Sequence, residues 1–331
     1  MADDFNILVS CAGRRVALVR YFQRALRDLD LKGSVCAADL DFTGPACHVA
    51  DRRFTAPLFK AGTFIDDMLA LCERERIRLV VPTIDPELPL YAQAYERFAE
   101  IGTTLAIGSP EAVAIGADKR ETHRWLSELG VPVPGQASIA EVLANPSDWP
   151  TPLIVKPARG SSSIGLQRIA RHEQLAVIDR AGEMVVESIA PGQEYTIDVY
   201  IDRSGRPRCA VPRQRLETRS GEVSKGLTVR NAALQALAMK IAAALPGAFG
   251  VINVQIFLDP STDKMAVIEI NPRFGGGYPL TQEAGANYTR SLVEDVLGRS
   301  LSINPDAWRD GLAMLRYDEA VYVDRSGLDQ P

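Results

Sequence analysis

Several features that mark common classes of protein are absent from this sequence. Its three histidines are far apart and form no HExxH motif, and its five cysteines are widely spaced without a CxxC pair. These absences argue against a histidine-rich metal site, a structural zinc site and a disulfide framework. No apolar run approaches the roughly 18 residues of a membrane-spanning helix. The 42 acidic residues outnumber the 37 basic ones, so we expect neither a nucleic acid nor a membrane as partner.

What remains is the composition of an ordinary folded protein. Hydrophobic residues make up 46% of the 331 positions and charged residues 24%, which is typical of globular domains. At about 150 residues per domain, the length predicts two domains. The acidic start of the chain, MADDFNILVS, leads directly into a strand-like run, so we expect a cytoplasmic protein without a signal peptide.

The first third of the chain alternates short apolar runs with amphipathic helical patterns. Strand-like runs at residues 6–10, 34–38, 79–82 and 104–107 are separated by helical patterns at 16–26, 64–76 and 90–101. Parallel strands that are buried on both faces give such continuous apolar runs, and the alternation is typical of a doubly wound sheet. We therefore predict an α/β fold, with a parallel sheet up to about residue 112 and a part richer in hairpins after it.

A glycine- and serine-rich loop joins the apolar runs at 153–157 and 165–169. It offers the ammonium group of Lys156 and, at small residues, consecutive backbone N–H groups. The small residues are Gly160, Ser161, Ser162 and Ser163. Such a loop can fold over a polyphosphate. The Walker motif GxxxxGK[ST] is absent, and a hairpin tip without a ligand is the alternative.

Two strand-like runs near residue 260 bring oxygen-bearing side chains together. If Asp259 pairs with Met265 across a five-residue loop, Gln255 lies directly opposite Glu269. The alternation of side chains then puts Asn271 on the same face. Oxygen ligands of this kind suit a hard divalent cation such as Mg²⁺. A polar sheet surface is the alternative.

The residues that follow this group add a cation and a stretch of bare backbone. Arg273 falls on the same face and can contact a phosphate oxygen bidentately. Three consecutive glycines follow, at Gly275, Gly276 and Gly277. Because they have no side chains, a ligand can approach the backbone closely beside the group. A wide turn is the alternative explanation for the glycines.

The loops after two strands of the first domain carry further candidates. Gly13 and Arg14 follow the first strand, at a position where open α/β sheets bind ligands. Asp85 and Glu87 follow a later strand and could receive an amine, although an acidic helix N-terminus explains them equally well. A dinucleotide site with Asp39 as its ribose acid is disfavoured because the GxGxxG motif is absent.

Taken in order, these motifs resemble the ATP-grasp superfamily. The order runs Lys119, Lys156 with its loop, Glu187 with Glu194, and then Gln255, Glu269 and Asn271. The run IEINPRFGGGYPLTQEAGANY closely resembles ATP-grasp domains related to the large subunit of carbamoyl-phosphate synthase, and the pyrrolysine-pathway ligase and other carboxylate–amine ligases are similar. The resemblance implies a pre-ATP-grasp domain at 1–112, a lid subdomain at 113–187, and a catalytic subdomain with a C-terminal tail at 188–331.

The resemblance also implies ligands and the residues that hold them. ATP is implied, with Mg²⁺ or, in its place, Mn²⁺. The implied ATP-binding residues are Lys119, Lys156, Gly160, Ser161, Ser162, Ser163, Glu187, Ser188, Ile189 and Glu194, and the implied metal ligands are Gln255, Glu269 and Asn271. Glu187 would meet the adenine amine, Glu194 would meet the ribose hydroxyls, and the glycine- and serine-rich loop would cover the β- and γ-phosphates.

The implied reaction phosphorylates a carboxylate and releases ADP, and an amine then attacks the acyl phosphate. Arg273 would stabilise the transferring phosphoryl group. Arg215 and Lys225 are candidates for the acyl-phosphate pocket, with a charged edge strand as the equal alternative. The substrate-binding candidates are Gly13, Arg14, Asp85, Glu87, Gly275, Gly276 and Gly277.

The resemblance implies two small-molecule substrates, a carboxylate and an amine, one of them an amino acid. Homodimers are common in this superfamily, and the sequence leaves the oligomeric state undecided. Two rival functions stay beside the ligase. One is an enzyme that phosphorylates bicarbonate, as carboxylases and carbamoyl-phosphate-forming enzymes do. The other is a nucleotide-binding module without catalytic activity.

Overall fold

The computed structural model describes residues 4–160, 164–178, 184–219 and 221–328. These residues form one parallel sheet of five strands and two antiparallel sheets of four and six strands. Short 3₁₀ helices lie at Asp85–Glu87, Pro146–Asp148, His172–Val177 and Arg325–Leu328. No helix in the described ranges is long and apolar enough to cross a membrane.

The first sheet is parallel, as the apolar runs predict. Its strands are β1 (Asn6–Ser10), β2 (Val35–Asp39), β3 (Arg52–Thr55), β4 (Ile77–Pro82) and β5 (Thr104–Leu105), in the order β3-β2-β1-β4-β5. The helices between them are α1 (Val16–Asp28), α2 (Ala46–Val49), α3 (Phe64–Arg74), α4 (Leu88–Gln93) and α5 (Tyr95–Glu100). The strand order reverses between β1 and β4, and the loops after these two strands flank the crevice where such sheets bind ligands.

The four-stranded sheet forms a small layer with its own core. It follows α6 (Pro110–Ala117) and α7 (Lys119–Glu128) and contains β6 (Gln136–Ala137), β7 (Leu153–Pro157), β8 (Gln167–Ile169), β9 (Met184–Ser188) and the helix α8 (Ile139–Ala144). The order of its strands is β6-β9-β7-β8. Val142, Leu153 and Val186 are fully buried at its centre. The antiparallel pairing of β7 with β8 confirms the predicted hairpin on either side of the glycine- and serine-rich loop.

The six-stranded sheet carries most of the second half of the chain. Its strands are β10 (Gln193–Ile201), β11 (Pro207–Arg219), β12 (Glu222–Thr228), β13 (Gly250–Asp259), β14 (Lys264–Asn271) and β15 (Ala313–Leu315), in the order β14-β13-β10-β11-β12-β15. The helices are α9 (Ala232–Ala244), α10 (Tyr278–Glu283) and α11 (Tyr288–Val296). β12 lies between β11 and β15 and pairs with both of them in antiparallel fashion.

The register of β13 against β14 is confirmed where the site needs it and wrong at the turn. Gln255 lies opposite Glu269, as predicted, but Asp259 pairs with Lys264 rather than with Met265. The two observations are compatible because the register shifts by one residue next to Gln255. An extra residue on β14 forms a bulge there, and bulges of this kind reorient side chains near functional sites.

An aromatic cluster joins the parallel sheet to the six-stranded sheet. Phe22 of α1 packs edge-on against Phe274 with ring centroids 5.9 Å apart, and Phe274 packs against Tyr278 at 4.7 Å. Tyr278 also contacts Tyr288 of α11 at 5.8 Å, and all four side chains are buried. This packing fixes the short segment between β14 and α10, which contains the three consecutive glycines.

Candidate functional site

A cavity of about 290 Å³ lies between the four-stranded and the six-stranded sheets. This intersheet cavity has a charged lining that includes Lys119, Lys156, Glu187, Glu194 and Glu269, and an apolar lining that includes Ile154, Ile189, Phe257 and Ile268. An apolar cavity with a few convergent polar groups is the usual form of a small-molecule site. The residues implied for ATP binding that the structure describes therefore meet in one place.

Lys156 and Glu187 form a buried ion pair inside this cavity. They belong to the neighbouring strands β7 and β9, and Lys156 Nζ lies 2.7 Å from Glu187 Oε2, with the side chains 10% and 7% exposed. The other carboxylate oxygen of Glu187 accepts a hydrogen bond from Gln136 Nε2 at 2.9 Å. Each buried charge thus has a partner, which such groups need in order to be tolerated away from water.

Glu194 and Arg215 form a second pair, on β10 and β11. Arg215 Nη1 donates to Glu194 Oε1 at 2.8 Å, and Nη2 donates to the carbonyl of Gly221 at 3.0 Å. Burial raises the pKa of Glu194, although Arg215 opposes the shift. Within the described residues, the buried Nε of Arg215 has no hydrogen-bond acceptor. A bound ligand with an anionic oxygen would satisfy it.

Lys119 reaches the base of the glycine- and serine-rich loop from the start of α7. Its Nζ donates to the carbonyl of Gly160 at 2.8 Å and lies 4.0 Å from Glu269 Oε1. Burial lowers the pKa of Lys119, while Glu269 opposes this shift. Ser161, Ser162 and Ser163 of the loop lie outside the described residues.

Ser188 and Ile189 line the same cavity, at the end of β9. The backbone N–H of Ser188 donates to the carbonyl of Gly135 at 3.0 Å, and the Ser188 hydroxyl accepts from the N–H of Gly135 at 2.9 Å. These bonds fix the turn after β9. They also occupy the N–H of Ser188, so this donor is not available to a base edge in the conformation observed.

The three implied metal ligands meet in a smaller pocket of about 90 Å³, the junction pocket, which continues from the intersheet cavity. Gln255, Glu269 and Asn271 all line it. The set offers one carboxylate and two amide groups, which fits a Mg²⁺ ion that takes its remaining oxygen ligands from phosphates and water. No cluster of three or more His, Cys, Asp or Glu within the described ranges could hold a metal by itself.

Arg273 and Asp85 contact each other, although the sequence assigned them to different tasks. Arg273 Nε and Nη2 donate to the two carboxylate oxygens of Asp85 at 2.8 and 2.6 Å. Burial opposes the charge on Arg273, but Asp85 outweighs it and raises the pKa of the guanidinium group. The bidentate pair ties the loop after β4 to the end of β14, and it occupies the carboxylate that the sequence offered to a substrate amine.

Glu87 does not face a cavity, which corrects its prediction as a residue that receives an amine. Its side chain is fully buried, and it accepts hydrogen bonds from Ser10 Oγ at 2.6 Å and from the N–H of Thr83 at 2.8 Å. Burial raises the pKa of Glu87 against these bonds. The carboxyl group therefore holds the ends of β1 and β4 together, and a substrate cannot reach it in this conformation.

Arg213 is a site residue that the sequence analysis missed. It is fully buried, and its Nε and Nη2 donate to both carboxylate oxygens of Asp198 at 2.8 Å. It also lines the junction pocket. The alternation of side chains on the central strand β11 could have suggested an inward position, but it gives no partner.

The three glycines make room for neighbouring side chains, and the close approach of a ligand to their backbone stays a prediction. A methyl group on Gly277 would lie 2.1 Å from Arg213 Nη1, and one on Gly276 would lie 2.8 Å from Arg15 Nη1. A methyl group on Gly275 would lie 3.0 Å from Asn253 Nδ2. All three glycines line the junction pocket. Their lack of side chains lets the arginine head groups reach it.

A third cavity, of about 620 Å³, opens beside the loop after β1 and is here named the arginine trough. The arginines that line it are Arg14, Arg15, Arg20, Arg24, Arg219 and Arg316. Gly13 also lines it, with a positive φ of 47°, and its N–H donates to Asp39 Oδ2 at 2.6 Å. Asp39 thus holds the loop in place. The sequence analysis found Gly13 and Arg14 but missed Arg316, which follows β15.

The three cavities share residues and form one continuous site. The intersheet cavity and the junction pocket share Arg215, Gln255 and Glu269, and the junction pocket continues into the trough through Gly275 and Gly276. Lys225 lies apart from all three. Its ammonium group contacts Glu217 Oε2 at 2.7 Å on the surface, where both side chains are about half exposed.

Two regions of the chain match known protein families. Residues 7–106 match the family described as PylC-like, N-terminal domain, and residues 116–277 match the ATP-grasp domain. The carbamoyl phosphate synthase large chain of Thermomicrobium roseum is 27% identical over 321 residues, which cover 86% of this chain and 28% of that protein. The D-alanine–D-alanine ligase of Corynebacterium efficiens is 31% identical over 185 residues, 45% of this chain and 50% of the ligase. The chain thus spans half or less of these relatives.

A solved structure shares the fold over nearly the whole chain. It is the biotin carboxylase domain of the Hydrogenobacter thermophilus 2-oxoglutarate carboxylase, in complex with MgADP, ADP and bicarbonate. The TM-score is 0.75, the sequence identity is 15%, and the match covers 94% of this chain and 74% of that one. At this identity the likeness shows a common architecture of three layers and does not extend to the substrate.

Proposed function

Because the chain belongs to the ATP-grasp family, we propose that it is an ATP-dependent ligase that joins a small-molecule carboxylate to an amine through an acyl phosphate. One observation carries the proposal. The intersheet cavity, which suits a nucleotide, meets the arginine trough at a pocket that holds Glu269, Gln255 and Arg215. A phosphoryl donor on one side and an acid on the other would therefore have their reacting groups in the same small space.

The nucleotide occupies the intersheet cavity in this proposal. The base lies among apolar side chains such as Ile154 and Phe257, near the Lys156–Glu187 pair. Glu194 accepts the ribose hydroxyls, and Lys119 and Gly160, which line the cavity, meet the phosphates. Gln255, Glu269 and Asn271 would hold Mg²⁺, which neutralises phosphate charge when bound.

The reaction has two halves. A carboxylate oxygen of the acid attacks the γ-phosphorus of ATP, and the bond from phosphorus to the bridging oxygen breaks as ADP leaves. The amine nitrogen then attacks the carbonyl carbon of the acyl phosphate, the bond from this carbon to the phosphate oxygen breaks, and the proton lost by the nitrogen leaves with phosphate. Arg213 and Arg273 line the junction pocket and in this proposal stabilise negative charge on the transferring group, which is the main demand of phosphoryl transfer. Exclusion of water protects the acyl phosphate.

The proposal extends to location and assembly. We place the ligase in the cytoplasm, where ATP and small metabolites are available to it. A homodimer stays a prediction, and the dimer named for the Hydrogenobacter thermophilus domain supports testing it. Size-exclusion chromatography with light scattering would separate a monomer of 36.1 kDa from a dimer.

The direct test is nucleotide turnover with Mg²⁺ and ATP against pooled carboxylic acids, amino acids and amines. We expect ADP and phosphate to appear only when an acid and an amine are both present, together with a product lighter than their sum by one water in mass spectrometry. Release of AMP and pyrophosphate would contradict the acyl phosphate. ADP release that needs bicarbonate instead of an organic acid would favour the rival carboxylase-type reaction, and ATP binding without any turnover would favour the non-catalytic module.

A further inference from the structure

The arginine trough carries more positive charge than its own carboxylates balance. Six arginines and four carboxylates line it, although the chain has a net charge of −5. Two of these arginines are matched one to one, since Arg24 lies 3.9 Å from Glu283 and Arg219 lies 2.5 Å from Asp318. The imbalance is therefore concentrated around the remaining carboxylate that contacts arginines, Glu222.

Three guanidinium groups converge on Glu222. Arg15 and Arg316 each lie 3.3 Å from its carboxylate oxygens, and Arg14 lies 4.0 Å away. Burial alone would raise the pKa of Glu222, but the three arginines together lower it. Burial lowers the pKa of Arg15, and repulsion from Arg273, Arg316 and Arg14 lowers it further, against the attraction of Glu222. One carboxylate thus faces several cations that repel each other.

The three arginines around Glu222 lie at the start of α1, where they do not stabilise the helix. α1 begins directly after Arg14 and Arg15, and its first turn has neither an acidic residue nor a side-chain cap. The first residues of the helix, Val16 and Ala17, line the trough. A helix N-terminus attracts anions and is destabilised by nearby cations. Residues that break such a local rule tend to lie at functional sites.

Backbone contacts hold the third arginine in place from the far end of the chain. The N–H of Arg316, just after β15, donates to the carbonyl of Ser224 at 2.9 Å, and Arg316 Nη2 donates to the carbonyl of Gly276. A side chain at Gly276 would collide with the head group of Arg15. The arginine groups are therefore positioned before any ligand arrives, which reduces the entropic cost of binding one.

We propose that the acid substrate carries two anionic groups. One is the carboxylate that is phosphorylated, at the junction pocket beside Arg213. The other is a carboxylate or a phosphate, which Arg14, Arg15 and Arg316 hold in the trough. The proposal rests on the proposed ligase function and adds a substrate class to it.

The continuity of the two cavities supports a single substrate that reaches both places. The junction pocket and the trough share Arg15, Glu222, Gly275 and Gly276. A second anion would face three guanidinium groups that currently share one carboxylate, and charge-assisted hydrogen bonds to arginine are among the strong polar contacts in proteins. A substrate with a neutral group at that end would leave the excess charge uncompensated.

The test compares acids that differ only in this second group. Calorimetric titrations use the full chain with Mg²⁺ and ADP present, and three matched pairs of probes: glutamate and glutamine, succinate and succinamate, and O-phosphoserine and serine. We expect at least one doubly anionic member to bind roughly tenfold or more tightly than its neutral counterpart, because a charged hydrogen bond contributes about 1.5–3 kcal/mol. The phosphoserine pair distinguishes a phosphate from a carboxylate as the second anion.

Three variants test whether the preference for a doubly anionic acid depends on the arginines around Glu222. Arg316→Gln and Arg14→Gln should reduce the preference to about threefold or less, whereas Arg24→Gln, an arginine of the same trough in a one-to-one pair, should leave it unchanged. Arg14 is 77% exposed, so its replacement does not endanger the fold.

The outcomes test the second anionic group and the proposed ligase function separately. Neutral members that bind as tightly as the charged ones, absence of binding by all three doubly anionic probes, or a preference that survives both variants would each overturn the second anionic group. ADP release with acids of one charge, unaffected by Arg316→Gln, would also overturn it and leave the ligase standing. A preference that depends on Arg14 and Arg316 without any turnover would contradict the ligase alone.

Discussion

The balance of charge differs between the two ends of the site, the intersheet cavity and the arginine trough. In the intersheet cavity each cation faces a carboxylate, as in the pairs Lys156–Glu187 at 2.7 Å and Arg215–Glu194 at 2.8 Å. In the arginine trough a single carboxylate, Glu222, faces three guanidinium groups.

The difference follows from burial and teaches what each end can bind. The paired residues of the intersheet cavity are largely buried, with side chains 7–25% exposed. An unpaired buried charge costs several kcal/mol, so this end is balanced without its ligand. In the trough Arg14 is 77% exposed, while Arg15, Glu222 and Arg316 are 22%, 29% and 34% exposed. Water screens the excess charge most at Arg14 until an anion arrives. A balanced cavity suits a nucleotide whose phosphates come with a cation, and an unbalanced trough suits an anion that comes alone.

The largest effect is expected where the two ends meet, at Glu269. Glu269→Gln keeps the size of the side chain and removes the only carboxylate of the implied metal group. The loss in kcat/KM for ADP release should exceed the roughly 10–100-fold that removal of an outer partner of a metal ligand costs. Turnover is measured at several Mg²⁺ concentrations, with Glu128→Gln on the exposed face of α7 as control. Unchanged turnover would contradict the prediction that this pocket holds a metal ion.

The next effect comes from the backbone beside Arg213. Gly277→Ala places a methyl group 2.1 Å from Arg213 Nη1, and Arg213 is anchored to Asp198 and has little freedom to withdraw. We expect kcat to fall about 100-fold or more, as when one preorganised donor to a transition state is lost. Gly62→Ala is the control because a methyl group there meets nothing within 4 Å.

Thermal unfolding separates a misplaced arginine from a damaged fold in this variant. A loss of activity with a nearly unchanged melting temperature supports a role of Arg213 in the reaction. Equal losses of stability and activity would mean that the glycine serves packing alone.

Much of the fold could be predicted from the sequence because its signals are local. Continuous apolar runs predicted the parallel sheet. The assumed pairing of Asp259 with Met265 predicted that Gln255 lies opposite Glu269; the turn register is wrong, but the bulge beside Gln255 restores this pairing. The motif order predicted which residues line the intersheet cavity. Their roles toward ATP stay predictions.

The trough could not be predicted because its parts are distant in the chain. Arg316 and Glu222 are 94 residues apart, and Arg15 comes from the segment between β1 and α1, near the start of the chain. No periodicity within one segment indicates such a meeting. The prediction for Glu87 is wrong for a related reason. Its position after β4 predicts an accessible carboxylate, but its hydrogen-bond partner Ser10 belongs to β1.

The paired end of the site makes a prediction about stability. Lys156→Met leaves Glu187 buried without its cation, and we expect the free energy of unfolding to fall by about 3 kcal/mol, as when one partner of a buried ion pair is removed. The double variant Lys156→Met, Glu187→Gln has no buried charge and should recover at least about 1 kcal/mol of this loss. Denaturant titrations measure both.

A surface pair gives the matched control for that cycle. Arg124 and Glu128 lie 2.8 Å apart on α7, with side chains 56% and 61% exposed, and Arg124→Met should leave the free energy of unfolding nearly unchanged. A loss at Lys156 no larger than that of Arg124→Met would mean that the intersheet cavity is more hydrated than its geometry indicates.

The smallest effect is expected at Lys225, which the sequence named beside Arg215 as a candidate for the acyl-phosphate pocket. Lys225 pairs with Glu217 on the surface, and such exposed pairs contribute little to stability. Lys225→Met should therefore change kcat/KM by about twofold or less, while Arg215→Met should raise the KM for ATP because it leaves the buried Glu194 without its partner. Parallel steady-state kinetics on both variants compare an ion pair inside the cavity with one outside it. A large loss of kcat in Lys225→Met with unchanged stability would return this residue to the site and show that β12 moves toward the junction pocket when the ligands bind.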